Sequence, residues 1–195
     1  ARTVADKLGL ARMPEPADAA VKTRTDLPPS PALSIIGNGP KSFAGRKLGV
    51  LVADGSDAVL LDAVKAAATA EGATVELVAP KVNGFTAADG THVAAKHMID
   101  GGPSVLFDAV VLLLVEDGAA HLAKEASARD FVADAFAHCK FIGYTAGAAT
   151  LLEKAGVPPS ADDGLIALDS GKSAAAFITA CRALRVWSRE PDVKL

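Results

Sequence analysis

The stretch Lys47–Ala79, KLGVLVADGSDAVLLDAVKAAATAEGATVELVA, decides how the chain is read. Lys47–Ala53 is a short apolar run rich in valine, the composition of a buried strand. Asp54-Gly55-Ser56-Asp57 is a turn that ends in a side chain able to cap a helix. From Ala58 to Glu71 apolar residues recur at helical spacing, at Leu60, Leu61, Val64, Ala67 and Ala68, until Gly72 stops them. Thr74–Ala79 is a second strand. Strand, helix and strand joined by short loops predict a crossover unit and a parallel pair.

The same rhythm continues downstream. Pro80–Thr91 carries turn chemistry, with Asp89-Gly90 as a hairpin corner and His92–Ala94 as its return strand. Phe107–Val115 is apolar without alternation, as a strand buried on both faces requires, and Asp117-Gly118 is read as the loop that breaks it. Ser127–His138 reads as a helix with Phe131, Val132, Ala135 and Phe136 on one face. Phe141–Tyr144 is a strand, Ala148–Ala155 a helix ended by Gly156, Leu165–Leu168 a last strand and Ser173–Val186 a last helix. The expected fold is α/β, a flavodoxin-like, doubly wound, mainly parallel sheet with helices on both faces.

Upstream the character changes. Residues 1–47 hold six of the eleven prolines and eight Lys and Arg against four Asp and Glu, whereas the remainder holds twelve against nineteen. Val4, Leu8 and Leu10 suit the end of a helix. From Met13 to Pro40 the proline spacing is expected to forbid helix and central strand alike. That segment reads as an extended linker lying on another surface, because Leu33, Ile35 and Ile36 are too apolar for water. The chain starts at Ala1 rather than Met, as expected of a processed product or a fragment.

Bulk properties narrow the function. A formal charge of −3 and a pI near 5.8 argue against nucleic acid or an anionic membrane as partner. The longest apolar run, Val105–Val115, is too short to span a bilayer. Cys139 and Cys181 form neither a disulfide framework nor a CxxC pair, which suits buried thiols in a reducing, cytoplasmic compartment.

In a doubly wound sheet a ligand sits beyond the carboxyl ends of the strands, so three loops matter. The first, Asp54–Asp57, places two carboxylates where a phosphate site needs neutral donors. The second adds Glu116 and Asp117 to the same rim. Such carboxylates can hold a divalent cation, but more commonly they cap helices or stand in solvated turns. The third, KFIGYTAGAATLL (Lys140–Leu152), has the strand-turn-helix form that presents a nucleophile. Its corner holds Thr145, Ala146, Gly147 and Ala148, of which only Thr145 has a hydroxyl, a poor nucleophile without a dedicated base. His92, His97, His121 and His138 show no metal-binding spacing, and no nucleotide-binding glycine motif occurs. No catalytic, cofactor-binding or metal-ligating residue is therefore expected in this chain.

In order, KLGVLVADGSD, TVELVAP, FDAVVLLLVEDGAA and KFIGYTAGAATLL resemble the DJ-1/PfpI and class I glutamine amidotransferase superfamily. On that resemblance Ala146, or Thr145 one residue off, stands where the family carries its cysteine. The acidic partner then falls within Asp54–Asp57, and Asp54, Asp57, Glu116 and Asp117 rim a vestigial pocket. A closer resemblance covers the whole chain. PPSPALSIIGNGPKSFAGRKLGVLV, Asp89-Gly90-Thr91, GGPSVLFDAVVL and the closing RVWSREP are similar to the C-terminal domain of large-subunit haem catalases of the hydroperoxidase II type.

That resemblance implies a parent that decomposes hydrogen peroxide to water and oxygen, with haem in its core and a homotetrameric assembly. Residues 1–12 would end a helix of the haem core, 13–45 would be the linker, and 46–195 the appended domain. Its partner would be the core of the same polypeptide, met by Leu33, Ile35, Ile36, Val186 and Trp187. The implied role is accessory and non-catalytic: tetramer stability, haem access or chaperone-like activity. The alternatives are a stand-alone DJ-1-like hydrolase, glyoxalase or deglycase using Thr145 or a rim carboxylate, or a holdase.

Overall fold

The structure is a computed structural model that describes residues 2–158 and 161–193. The chain divides into two units, residues 1–37 and 38–195. In the first, α1 (Arg2–Lys7) ends where Gly9 takes a φ of 69° and Leu10 N–H donates to the Ala5 carbonyl, the left-handed close of a helix. Residues 11–30 form no helix or strand. Contrary to the expectation from proline spacing, Ile35–Asn38 forms one helical turn, α2. The residues between Pro31 and Pro40 are free to coil, and Ser34 Oγ accepts from the Gly37 N–H at 2.9 Å. Leu33, Ile35 and Ile36 are all exposed.

The second unit carries the sheet. β1 (Lys47–Val52), α3 (Ala58–Ala70) and β2 (Thr74–Ala79) follow the predicted crossover. Asp57 caps α3 by accepting from the Val59 and Leu60 N–H groups. β3 (Phe85–Thr86) and β4 (His92–Val93) form the small antiparallel hairpin. After them come β5 (His97–Met98), β6 (Ala109–Leu113), α4 (Glu116–Leu122), α5 (Ala126–Ala137), β7 (Ile142–Tyr144), α6 (Ala149–Lys154), β8 (Leu165–Ala167) and α7 (Gly171–Ala180). The main sheet runs β5-β2-β1-β6-β7-β8, and every pair is parallel. Without the edge strand β5 this is the flavodoxin-like order, whose switch point lies between β1 and β6.

Alternate side chains of the central strands feed two cores. Leu48, Val50 and Val52 meet Leu61, Val64, Phe177 and Ile178 of α3 and α7. Leu51, Val110, Leu112 and Ile142 meet Leu122, Phe131, Val132 and Leu151 of α4, α5 and α6. Both faces are thus covered, which accounts for the unbroken apolar runs. Cys181 lies in the first core, and burial pushes its thiol pKa up, so it is a packing residue.

Three elements depart from the sequence reading. The Glu116-Asp117-Gly118 segment is the first turn of α4, not a loop, closed by the Ala119 N–H donating to Val115 at 2.9 Å. Carboxylates in a first turn favour a helix rather than break it. The last helix stops at Ala180, passes through a tight turn at Cys181–Ala183 and is broken by Leu184, whose φ is 61°. Val186 belongs to the domain's own core instead of an outward surface, while Trp187 is partly exposed.

The third departure, β5, is held by side chains. Glu76 on β2 is buried, and accepts from Lys96 Nζ at 2.6 Å and His97 Nε2 at 2.8 Å, with Lys47 Nζ 3.3 Å away. Lys96 first, then His97, pull its carboxyl down to about 2 from 4.5, against the opposing effect of burial. A depressed carboxyl stabilises the fold above its unfolded pKa and loses that contribution as pH falls through the folded one. The advantage of the native chain over Glu76→Gln is therefore expected to be constant above about pH 5 and gone near pH 2. Because Lys47 and Lys96 are at least half exposed, solvent screens the cluster and the advantage is on the order of 2 kcal/mol. Urea melts of both chains across that range measure it.

Candidate functional site: the carboxyl ends of the strands

At the switch point the chain closes on itself. Ser56, fully buried, donates from Oγ to the Leu113 carbonyl at 2.6 Å and accepts from the Ala53 N–H at 3.1 Å. One hydroxyl thereby joins the ends of β1 and β6, where related sheets open a crevice. Sequence reading passed over this residue. A small hydroxyl side chain three residues after the predicted strand, inside an Asp-Gly turn, was the available signal.

The corner after β7 is equally closed. Thr145 Oγ1 donates to the Leu114 carbonyl at 2.6 Å and accepts from the Leu114 N–H at 3.0 Å, while the Thr145 N–H donates to Leu112 at 3.0 Å. Its hydroxyl is spent on the backbone just beyond β6, and among the described residues no side-chain base shares it. A Cβ on Gly147 would come within 2.5 Å of the Leu114 carbonyl oxygen and 2.8 Å of the Val115 backbone. Ala146 between them is exposed. Thr145→Val is expected to cost about 1–3 kcal/mol, because it leaves the buried Leu114 groups unpaired, and Thr145→Ser about 1 kcal/mol or less. Thermal unfolding of the two variants separates a staple from a nucleophile, since a nucleophile would show its loss in turnover.

The four rim carboxylates do not converge. Asp54 and Asp117 line a cleft of about 320 Å³ with Lys81, Phe85, Gly118 and His121. Asp57 and Glu116 line a second, shallower one of about 400 Å³ with Thr145, Ala146 and Asp169. Asp54 is also a tether. Its Oδ1 accepts from the Thr86 N–H at 2.8 Å, which lowers its pKa, and the Gly55 N–H donates to the Thr86 carbonyl. The hairpin is thereby clipped to the β1–α3 turn. Among the described residues, no group of three or more His, Cys, Asp and Glu is placed to hold a metal ion, and no helix is long and apolar enough to cross a membrane.

Sheet order and corner together define a flavodoxin-like α/β domain in which the turn after β7 bears Ala146 and is tied down by hydrogen bonds from Thr145 to backbone groups. The family model described as the C-terminal domain found in long catalases matches residues 44–191, and the chain belongs to that family. It is 60% identical over 194 residues to Catalase C of Rhizobium meliloti, covering all of this chain and 28% of that protein. Catalase HPII of Pseudomonas putida is 33% identical over 192 residues, covering 97% of this chain and 26% of the relative. Catalase HPII of Mycobacterium avium is 36% identical over 158 residues, covering 80% and 22%. The chain spans about a quarter of the length of these relatives.

Haem, the group that a catalase carries, does not fit the residues present. Tyr144 is the sole tyrosine, and it is built into β7 between Leu112 and Ala167. The cleft beside Thr145 is rimmed by carboxylates that would repel the porphyrin's own propionates, and the cleft beside Phe85 sets one lysine against two carboxylates.

Proposed function

We propose that the chain is the non-catalytic appended domain of a large haem catalase, a parent that decomposes hydrogen peroxide on a separate core. In this reading residues 1–12 close a helix of that core, 13–45 form the linker, and 46–195 are the appendage, a degenerate member of the DJ-1/PfpI superfamily. The observation that supports it is the corner after β7, where Ala146 offers no nucleophilic group and the Thr145 hydroxyl is engaged by Leu114. The role left to the domain is mechanical: adding stability to a cytoplasmic tetramer and shaping access to the haem. Exposed Leu33, Ile35 and Ile36 supply apolar surface for contact with the core.

Deletion of the domain from the full-length enzyme is the test. The truncated catalase is expected to lose activity faster on heating and to dissociate more readily. An unchanged inactivation half-life together with an unchanged tetramer, read by light scattering, would sink the proposal. The same exposed apolar residues also favour a second reading, a holdase. Suppression of aggregation by the intact tetramer would support it, while suppression by the isolated chain alone would trace to the orphaned contact surface.

A further inference from the structure

We propose that the cleft between the β3–β4 hairpin and α4 binds a small zwitterion, an α-amino acid with an apolar side chain. Its volume, about 320 Å³, is at the lower end of small-molecule sites. The lining is apolar at Ala53, Pro80 and the buried ring of Phe85, with Gly84 and Gly118 beside them. Both signs of charge stand around it. Asp117 and His121 lie one helical turn apart on α4, and among the described residues neither side chain forms a hydrogen bond or ion pair. Asp54 spends one oxygen on Thr86, and its other oxygen forms a loose, exposed ion pair with Lys81 Nζ at 3.6 Å, longer than a hydrogen bond. Both groups keep capacity for a ligand.

A ligand that satisfies this set needs a donor for Asp54 and Asp117 and an acceptor for Lys81 and the His121 N–H. It also needs an apolar body for Phe85. An amino acid carries all three within one small molecule, whereas a simple cation leaves Lys81 opposed and a simple anion is repelled by two carboxylates. The second cleft has no such balance, since its charged rim is Asp57, Glu116 and Asp169 alone. Binding here needs no covalent step, so this inference stands apart from the elbow's missing nucleophile.

Titration of the isotope-labelled 195-residue chain with L-leucine, read by NMR at the His121 ring and the Gly84 and Gly118 amides, tests it. Saturable shifts with a Kd on the order of 1 mM are expected, weakened about tenfold by Asp117→Asn and by Lys81→Met. N-acetyl-L-leucinamide, which lacks both charges, is expected not to bind. Absence of saturable shifts overturns the proposal, as does equal binding of the capped compound or indifference to both substitutions. Both side chains are at the surface, so the thermal midpoint of each variant should match the native chain. Should a variant unfold, leucine against capped leucinamide on the unaltered chain still decides.

Discussion

Replacing Arg189 with Met is expected to destabilise the domain by about 3–5 kcal/mol, the cost of breaking a buried pair from one side. The Arg189 side chain is 1% exposed, although it sits near the end of the chain. Nη2 donates to Asp162 Oδ1 at 2.8 Å, Nη1 donates to the Lys140 and Phe136 carbonyls at 2.9 and 3.1 Å, and the guanidinium lies 4.1 Å over the Phe136 ring. One planar fork therefore joins the final segment to the end of α5, the approach to β7 and the approach to β8. The Val186 N–H adds a bond to the Cys139 carbonyl at 2.7 Å. A lysine cannot make these bonds at once, so Arg189→Lys is expected to recover less than half of the loss.

For a domain of this size the loss corresponds to roughly 10 °C in Tm, readable by calorimetry. Adding Asp162→Leu to Arg189→Met is expected to restore part of it, because the stranded carboxylate is then gone. Asp162 is held below the ordinary carboxylate range, chiefly by Arg189. Its contribution is thus present above the unfolded pKa and lost as pH falls through the folded one. The deficit of Arg189→Met should accordingly shrink in acid. A fall of under about 1 kcal/mol at neutral pH would show that the final segment is not locked to the body.

The alternation of strands and helices was legible because the period of apolar residues depends on local geometry alone. What escaped was decided across the chain. Asp117-Gly118 reads as a turn by composition, yet its glycine sits in α4 because a Cβ there would press on Ala53 at 3.0 Å. β5 has two residues and no apolar run, and it owes its place to Glu76, twenty residues upstream of Lys96. The end of α7 had no glycine or proline to announce it, since the bond from Val186 to Cys139 sets where the chain must turn. Lys140, a charged residue that leads into the apolar run of β7, is 3% exposed and donates to the Ser104 carbonyl at 2.6 Å. Burial pushes its pKa down to about 8. In the corner itself, the absence of a thiol or hydroxyl at Ala146 is read directly from the sequence. The Leu114 partner of Thr145 and the Leu113 partner of Ser56 could not be, because these are backbone groups at or just beyond the end of β6, more than thirty residues away.

The elbow offers the other large effect, and it separates two neighbours. Gly147→Val is expected to cost more than about 3 kcal/mol, since the atoms a side chain would strike are backbone at the end of β6. The Leu114 oxygen and the Val115 Cα cannot retreat without breaking the Thr145 bonds to Leu114 and the first turn of α4, which Val115 begins. Ala146, one residue earlier, is exposed, and Ala146→Ser is expected to change stability by less than about 0.5 kcal/mol. Chemical denaturation of the two variants measures the contrast. A large loss at Gly147 beside none at Ala146 means that the turn is held by packing between β6, β7 and α4. Equal tolerance at both positions would mean that the corner has room for a working side chain, and the reading of this domain as non-catalytic would have to be given up.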